Sequence, residues 1–124
     1  MQLKRFDVAE VIPHTGSMIL LDRIIVYDEQ SLEAELTVRN GDELLGDEEW
    51  VPAWVGIEYM AQTIAAYAGV MAKLADEGIR LGFLLGTRQY RSNVPAFKVG
   101  LLLRVKVNKI IYAIIIWRNN IWKY

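Results

Sequence analysis

The constraint that shapes this chain is the stretch Trp50 to Ala75, W-V-P-A-W-V-G-I-E-Y-M-A-Q-T-I-A-A-Y-A-G-V-M-A-K-L-A. It reads as one long helix that is apolar on nearly every side, and such a helix belongs inside a fold, covered on several faces. Ile57, Ala61, Ile64, Ala68, Met71 and Leu74 recur at three- and four-residue steps. The alanines and Gly69 make the helix slim enough for a sheet to curl around it. Pro52 suits the first turn of a helix. Glu58 is the only acid in the first two turns. A carboxylate at such a place must be paired, neutralised or in use, because a lone buried charge is very costly.

The flanking sequence supplies the sheet. Asp7-Val8-Ala9-Glu10 fits a helix start with Asp7 as cap and Glu10 reaching back to it. Pro13 forces that helix to stop by Ile12. The only histidine, His14, therefore lies in a loop between Pro13 and Gly16. Ile24 to Tyr27 is β-branched and aromatic, as a strand is, and Asp28-Glu29-Gln30 makes a turn. Leu32, Ala34, Leu36 and Val38 then alternate with Glu33, Glu35, Thr37 and Arg39. Period two implies an antiparallel sheet with one wet face. Asn40-Gly41-Asp42 ends that strand, and an acidic loop, Leu44 to Glu49, leads to the helix. After it, Leu81–Tyr90 has strand character, and Leu101, Leu103, Val105 and Val107 alternate with Leu102, Arg104, Lys106 and Asn108. Residues 110–124 lack both a clear alternation and a turn signal; they form a last strand or a truncated or altered end.

The expected fold class is α+β, an antiparallel sheet wrapped around one long central helix, in a single domain over residues 1–124. Open sheet edges are a liability unless paired, so a dimer with a continuous sheet is expected. The formal net charge of −1 gives no footprint for nucleic acid. The absence of cysteine removes disulfides, zinc-thiolate sites and thiol nucleophiles. A single histidine removes a multi-histidine metal site within one chain, so no metal is expected. The N-terminus lacks the apolar run of a signal peptide. Ile110–Trp117 is far shorter than the roughly 20 residues of a membrane span. A soluble, cytoplasmic protein is expected.

P-H-x-x-x-M-x-L-L-D-R at residues 13–23 and P-A-W-V-G-I-E-Y-M-A-Q at residues 52–62 resemble the hotdog-fold 3-hydroxyacyl-acyl-carrier-protein dehydratases, FabA and FabZ, over residues 5 to 108. Within them the chain is most similar to the ApeP-like dehydratases of aryl polyene clusters. The resemblance implies a dimer with active sites at the subunit interface. There a 3-hydroxyacyl thioester, carried on the phosphopantetheine of an acyl carrier protein or on coenzyme A, would lose water to give the trans-2-enoyl thioester. No cofactor beyond that carrier is implied. The helix carboxylate of the family matches Glu58. The family's catalytic histidine stands in a G-H-F-P loop, where this chain has Glu43-Leu44-Leu45-Gly46, and His14 matches the early Pro-His instead. Either the base has moved to His14, or the chain is a weak or inactive subunit that partners an active dehydratase.

Dehydration needs a base for the proton beside the thioester carbonyl, an acid for the hydroxyl and donors for the enolate-like oxygen. Imidazole exchanges protons near neutral pH, which suits His14 as base. A carboxyl shielded from water keeps its proton more readily, which suits Glu58 as acid. Backbone N–H groups near Val55 and Gly56 would serve the oxygen, each such donor being worth ~3 kcal/mol. Plainer roles stand beside these: Glu58 paired with Arg23 or Arg88, and His14 as a loop histidine bonded to backbone. Gln62, one turn beyond Glu58, either orients it or bonds across a dimer. Tyr59, Met60 and Tyr67 read as core or interface. Arg88, Arg91 and Lys98 either dock a carrier protein or are simply solvated. A homodimer and a heterodimer with another hotdog subunit both fit, and a hotdog thioesterase using Glu58 to activate water is the other enzymatic reading.

Overall fold

The structure, a computed structural model, describes residues 4–39, 50–75, 96–108, 112–117 and 120–123, the last two ranges as backbone only. Helix α1 (Val8–Val11) opens with Asp7 as cap, and the Glu10 carboxylate accepts the Asp7 N–H at 3.0 Å. It ends where Pro13 requires, with Ile12 already extended. After a 3₁₀ turn over Gly16–Met18 come strands β1 (Arg23–Tyr27) and β2 (Ser31–Thr37). The turn between them is tied by Asp28, whose carboxylate accepts the N–H groups of Gln30 and Ser31 at 2.7 and 2.8 Å. Those bonds, Gln30 first, hold the Asp28 carboxyl below its usual range.

Strand β3 (Trp50–Pro52), a 3₁₀ turn over Ala53–Val55 and helix α2 (Gly56–Leu74) follow. Strands β4 (Ala96–Lys98), β5 (Leu102–Asn108), β6 (Tyr112–Trp117) and β7 (Asn120–Lys123) complete the described chain. An antiparallel sheet runs β1-β2-β5-β6-β7, and β3 pairs antiparallel with β4. The expected sheet around one long helix is therefore present. Leu32, Ala34, Leu36 and Val38 on β2 and its end, with Leu103, Val105 and Val107 on β5, turn inward and are 4% exposed or less. They meet Tyr59, Met60, Ala66 and Val70 of α2 in one core. Burying each large aliphatic side chain there is worth about 1.5–3 kcal/mol.

Two expectations need correction. The helix begins at Gly56, not Trp50: Trp50 and Val51 pair with Lys98 and Phe97 as strand, and Pro52 keeps Val51 extended. Of the series Ile57, Ala61, Ile64, Ala68, Met71 and Leu74, only Ala68 is buried. Ile57, Ala61, Ile64 and Met71 are only half-buried and Leu74 is exposed, while Tyr59, Met60, Thr63, Ala66 and Val70 face the chain's own sheet. The polar side of β2 is not wholly wet. Register sets Arg23, Glu35 and Arg104 side by side across three strands, and the two arginine stems leave the Glu35 side chain only 8% exposed. Of the two readings of residues 110–124, strand is the one seen, with β6 against β5 and β7 against β6. The expected strand at Leu81–Tyr90, the turn after Thr37 and the acidic loop lie outside the described residues.

Gly69 fixes where α1 sits. A Cβ at this position would fall 1.9 Å from the Val11 carbonyl oxygen, so α1 rests directly on the α2 backbone. Gly69→Ala is expected to lower stability by about 1–3 kcal/mol, as overpacking against an unyielding neighbour does. Urea unfolding of the two proteins checks it; equal midpoints and slopes would mean that α1 does not dock there.

Candidate active site

Docking of α1 on Gly69 determines where the chain goes next. From Ile12 it turns through Pro13 and His14 into the 3₁₀ turn, with Gly16 at φ +56°. That left-handed conformation costs other L-residues roughly 1–2 kcal/mol. The strap of residues 14–22 then crosses the first turns of α2. Gln62 fastens it. This side chain has no exposed surface. Its carbonyl oxygen accepts the Leu20 N–H at 2.9 Å, and its amide nitrogen donates to the Met18 carbonyl at 2.7 Å and to Glu58 Oε1 at 3.1 Å. Glu58 lies four residues before Gln62, the spacing at which side chains meet on one helix face.

His14 completes the cluster. Its Nε2 is 3.2 Å from Glu58 Oε1, with the His14 side chain 19% exposed and that of Glu58 46% exposed. Oε1 thus lies within reach of two nitrogens, the Gln62 amide and His14 Nε2, while Oε2 has no hydrogen-bond partner among the described residues. The other ring nitrogen, Nδ1, is buried and has no partner among the described residues either. The imidazole therefore presents one working nitrogen, and it points at the carboxylate. With its side chain 46% exposed, Glu58 is not shielded from water by the chain's own residues, contrary to the expectation of a buried carboxyl.

The sequence-predicted residues divide clearly. His14, Glu58 and Gln62 come together within one chain, and the polar atoms of Gln62 are engaged with Glu58 and the strap. Arg23 pairs with Glu35, not with Glu58. Gly56 is buried, and its N–H already bonds the Ala53 and Trp54 carbonyls. Val55 is half-buried at the end of the same turn. Lys98 is exposed on β4, opposite Trp50. Arg88 and Arg91 lie outside the described residues, as does Glu43-Leu44-Leu45-Gly46. Tyr59 and Met60 are core, and Tyr67 donates its hydroxyl to the Glu29 carbonyl at 2.6 Å. The backbone groups of Met18 and Leu20 went unseen in the sequence, since nothing in a side chain marks a backbone acceptor. An open groove of about 860 Å³ beside β1, lined by Lys4, Phe6, Arg23 and Tyr27 among others, includes neither member of the pair.

The sequence profile of the ApeP-like family, described as ApeP dehydratase, matches residues 6–115. Two 3-hydroxyacyl-acyl-carrier-protein dehydratases FabZ, from two strains of Cereibacter sphaeroides, are each 30% identical over 106 residues, spanning 80% of this chain and 68% of theirs. A chain in the structure of the dehydratase heterocomplex ApeI:P from Xenorhabdus doucetiae superposes with a TM-score of 0.81 at 25% identity, over 97% of this chain and 89% of that one.

Gln62→Leu keeps the volume but leaves the Leu20 N–H and the Met18 carbonyl without their partner. It is expected to lower stability by about 1–3 kcal/mol. It should also free Glu58. Thermal unfolding of the variant measures the first effect, and a melting point equal to that of the parent would mean that the strap is not held by this amide.

Proposed function

Because the chain belongs to the ApeP-like dehydratase family, we propose that its His14–Glu58 pair dehydrates a 3-hydroxyacyl thioester to the trans-2-enoyl thioester in fatty acid or aryl polyene type synthesis. One observation carries the assignment: His14 Nε2 lies 3.2 Å from Oε1 of the Glu58 that begins the E-x-M-A-Q run. The hydrogen on C2 and the hydroxyl on C3 leave from adjacent carbons, so base and acid must be neighbours as well. No other acid or imidazole in the described residues forms such a pair with His14.

The substrate's C2 hydrogen takes the place of Glu58 at His14 Nε2, and Oε2 of protonated Glu58 meets the C3 hydroxyl. The C2–H bond breaks, its proton passes to Nε2 and its electron pair forms the C2=C3 bond. The C3–O bond breaks with its electrons on oxygen, which takes the Glu58 proton and leaves as water. Imidazolium and carboxylate then face one another, and the proton returns across their direct contact when product departs. Gln62 holds Oε1 throughout. The Val55 N–H serves the thioester oxygen; Gly56 joins it only if the turn opens, since its own N–H is engaged.

The acyl group rides on phosphopantetheine, with an acyl carrier protein as donor and coenzyme A as its small-molecule counterpart. The enzyme needs no further cofactor. Lys98, with Arg88 and Arg91, forms the carrier-docking set. The half-exposed stripe Ile57, Ala61, Ile64 and Met71 is the seat of a second hotdog subunit, a reading supported by the similarity to a chain of a dehydratase heterocomplex. No helix among the described residues is long and apolar enough to cross a membrane, and a cytoplasmic location belongs to the same reading.

Hydration of a short enoyl thioester, followed by the loss of its ultraviolet absorbance, tests the assignment. Glu58→Gln and His14→Asn, each confirmed folded by circular dichroism, are expected to lose about 10²–10⁴-fold in kcat, as loss of a general acid or base does. Full activity in either variant removes that residue from the chemistry. Release of free acid in place of hydrated thioester would establish a thioesterase. A folded but inactive parent would make the chain the non-catalytic subunit.

A further inference from the structure

We infer that Arg39 is a positioning residue for the Glu58–His14 pair, acting through the strap of residues 14–22; the inference rests on the dehydratase reading above. Apart from one 3₁₀ turn the strap has no regular structure. Besides the Asp22 N–H bonded to the Glu35 carbonyl at 2.9 Å and the buried Leu21, side-chain ties set where it lies over α2. Gln62 ties the side facing the helix. The opposite side is tied by Arg39, whose Nη2 donates to the Ile19 and Leu20 carbonyls at 3.2 Å each. Its Nη1 is 3.3 Å from Asp22 Oδ1, and Asp22 Oδ2 accepts the Thr37 N–H at 2.6 Å.

The two ties converge on Leu20, whose N–H goes to Gln62 and whose carbonyl accepts from Arg39. Arg39 itself has a firm base. Val38 donates to the Leu101 carbonyl at 2.9 Å and accepts the Gly100 N–H at 2.8 Å. A continuous polar route thus runs from the sheet through Arg39, Leu20 and Gln62 to Glu58. His14 lies on the same strap, so the clamp bears on both members of the pair. Two carbonyls and a carboxylate around one side chain suit the planar fork of guanidinium, which the three donors of a lysine ammonium match only in part.

The magnitudes separate this role from a merely structural one. The Arg39 and Asp22 side chains are 52% and 36% exposed, and exposed ion pairs contribute at most about 1 kcal/mol to stability. A misplacement of about 1 Å in a catalytic group, by contrast, can cost 10²-fold in rate. The clamp should matter to turnover far more than to folding.

Because His14 is the only histidine, its ring-proton NMR signals are unambiguous and report on the pair without any turnover. The full chain would be compared with Arg39→Ala, Arg39→Lys, Asp22→Asn and, as the uncoupled reference, Glu58→Gln. In Arg39→Ala the His14 signals are expected to move toward those of Glu58→Gln. Its kcat should fall roughly 10–100-fold with KM little changed, its melting point should stay close to that of the parent, and Arg39→Lys should recover part of the loss. Should Arg39→Ala not fold, Asp22→Asn loosens the same clamp and is expected to shift the signals in the same direction. Unmoved His14 signals overturn the inference, as does a kcat that falls only in step with melting and is not rescued by lysine. An inactive parent whose His14 signals still respond to Arg39 upholds the positioning role and overturns the dehydratase reading alone.

Discussion

A carboxamide with no exposed surface is tolerable in an apolar interior only when its polar atoms are matched. Gln62 meets that demand with three partners from two parts of the chain: the backbone of Met18 and Leu20, and the side chain of Glu58. The site depends on this bond set. It draws an irregular strap onto a regular helix, and it does so on the face where the only acid of that helix's first turns stands. Arg39 and the Asp22 N–H tie the strap to the sheet, and Gln62 is the side chain of α2 that bonds it. Desolvation of the amide and orientation of the carboxylate are therefore one event.

The strap has a second point of control at its N-terminal end. Backbone contact of Val11 with Gly69 leaves α1 little room to slide, and Pro13 stops the helix within a residue or two of that contact. His14 thus follows directly from the one place where two helices touch without a side chain between them. Close approach at Gly69 and the amide at Gln62 lie on the same helix, two turns apart. Together they hold the loop at both ends, which is how a residue in a loop attains the geometry of one on a rigid element. The sheet contributes through β2 and β5, whose inward rows give α2 its place.

The period-two rows of β2 and β5 were legible because alternation over seven residues has one structural meaning, and the turn at Asp28 and the stop at Pro13 were legible for similar local reasons. The pairing of His14 with Glu58 was readable only as a possibility, since 44 positions separate them and no periodicity spans that distance. The start of α2 was misread because Trp50 and Val51 are as apolar as the helix itself, and apolarity does not say whether a segment pairs or coils. Likewise, a helix apolar all round has more than one candidate stripe. Periodicity found Ile57, Ala61 and Ile64, and packing chose Tyr59, Thr63 and Ala66 for the chain's own sheet. Glu35 escaped notice because its burial follows from cross-strand register with Arg23 and Arg104, which only pairing defines.

That half-buried stripe bears on the chemistry. Trp54 and Met18 are each 64% exposed; one stands a turn before Glu58 and the other is bonded to Gln62 through its carbonyl. Glu58 is nearly half exposed between them, although proton transfers of this kind gain from a site closed to water. Apolar surface of this extent beside a polar pair is uncommon on a chain that works alone. A second hotdog subunit seated on Ile57, Ala61, Ile64 and Met71 would bury that surface and lower the dielectric around the pair. Both changes strengthen the His14–Glu58 interaction relative to water. The same cover would join the requirement of the fold, a shielded helix, to the requirement of the reaction, a dry carboxyl.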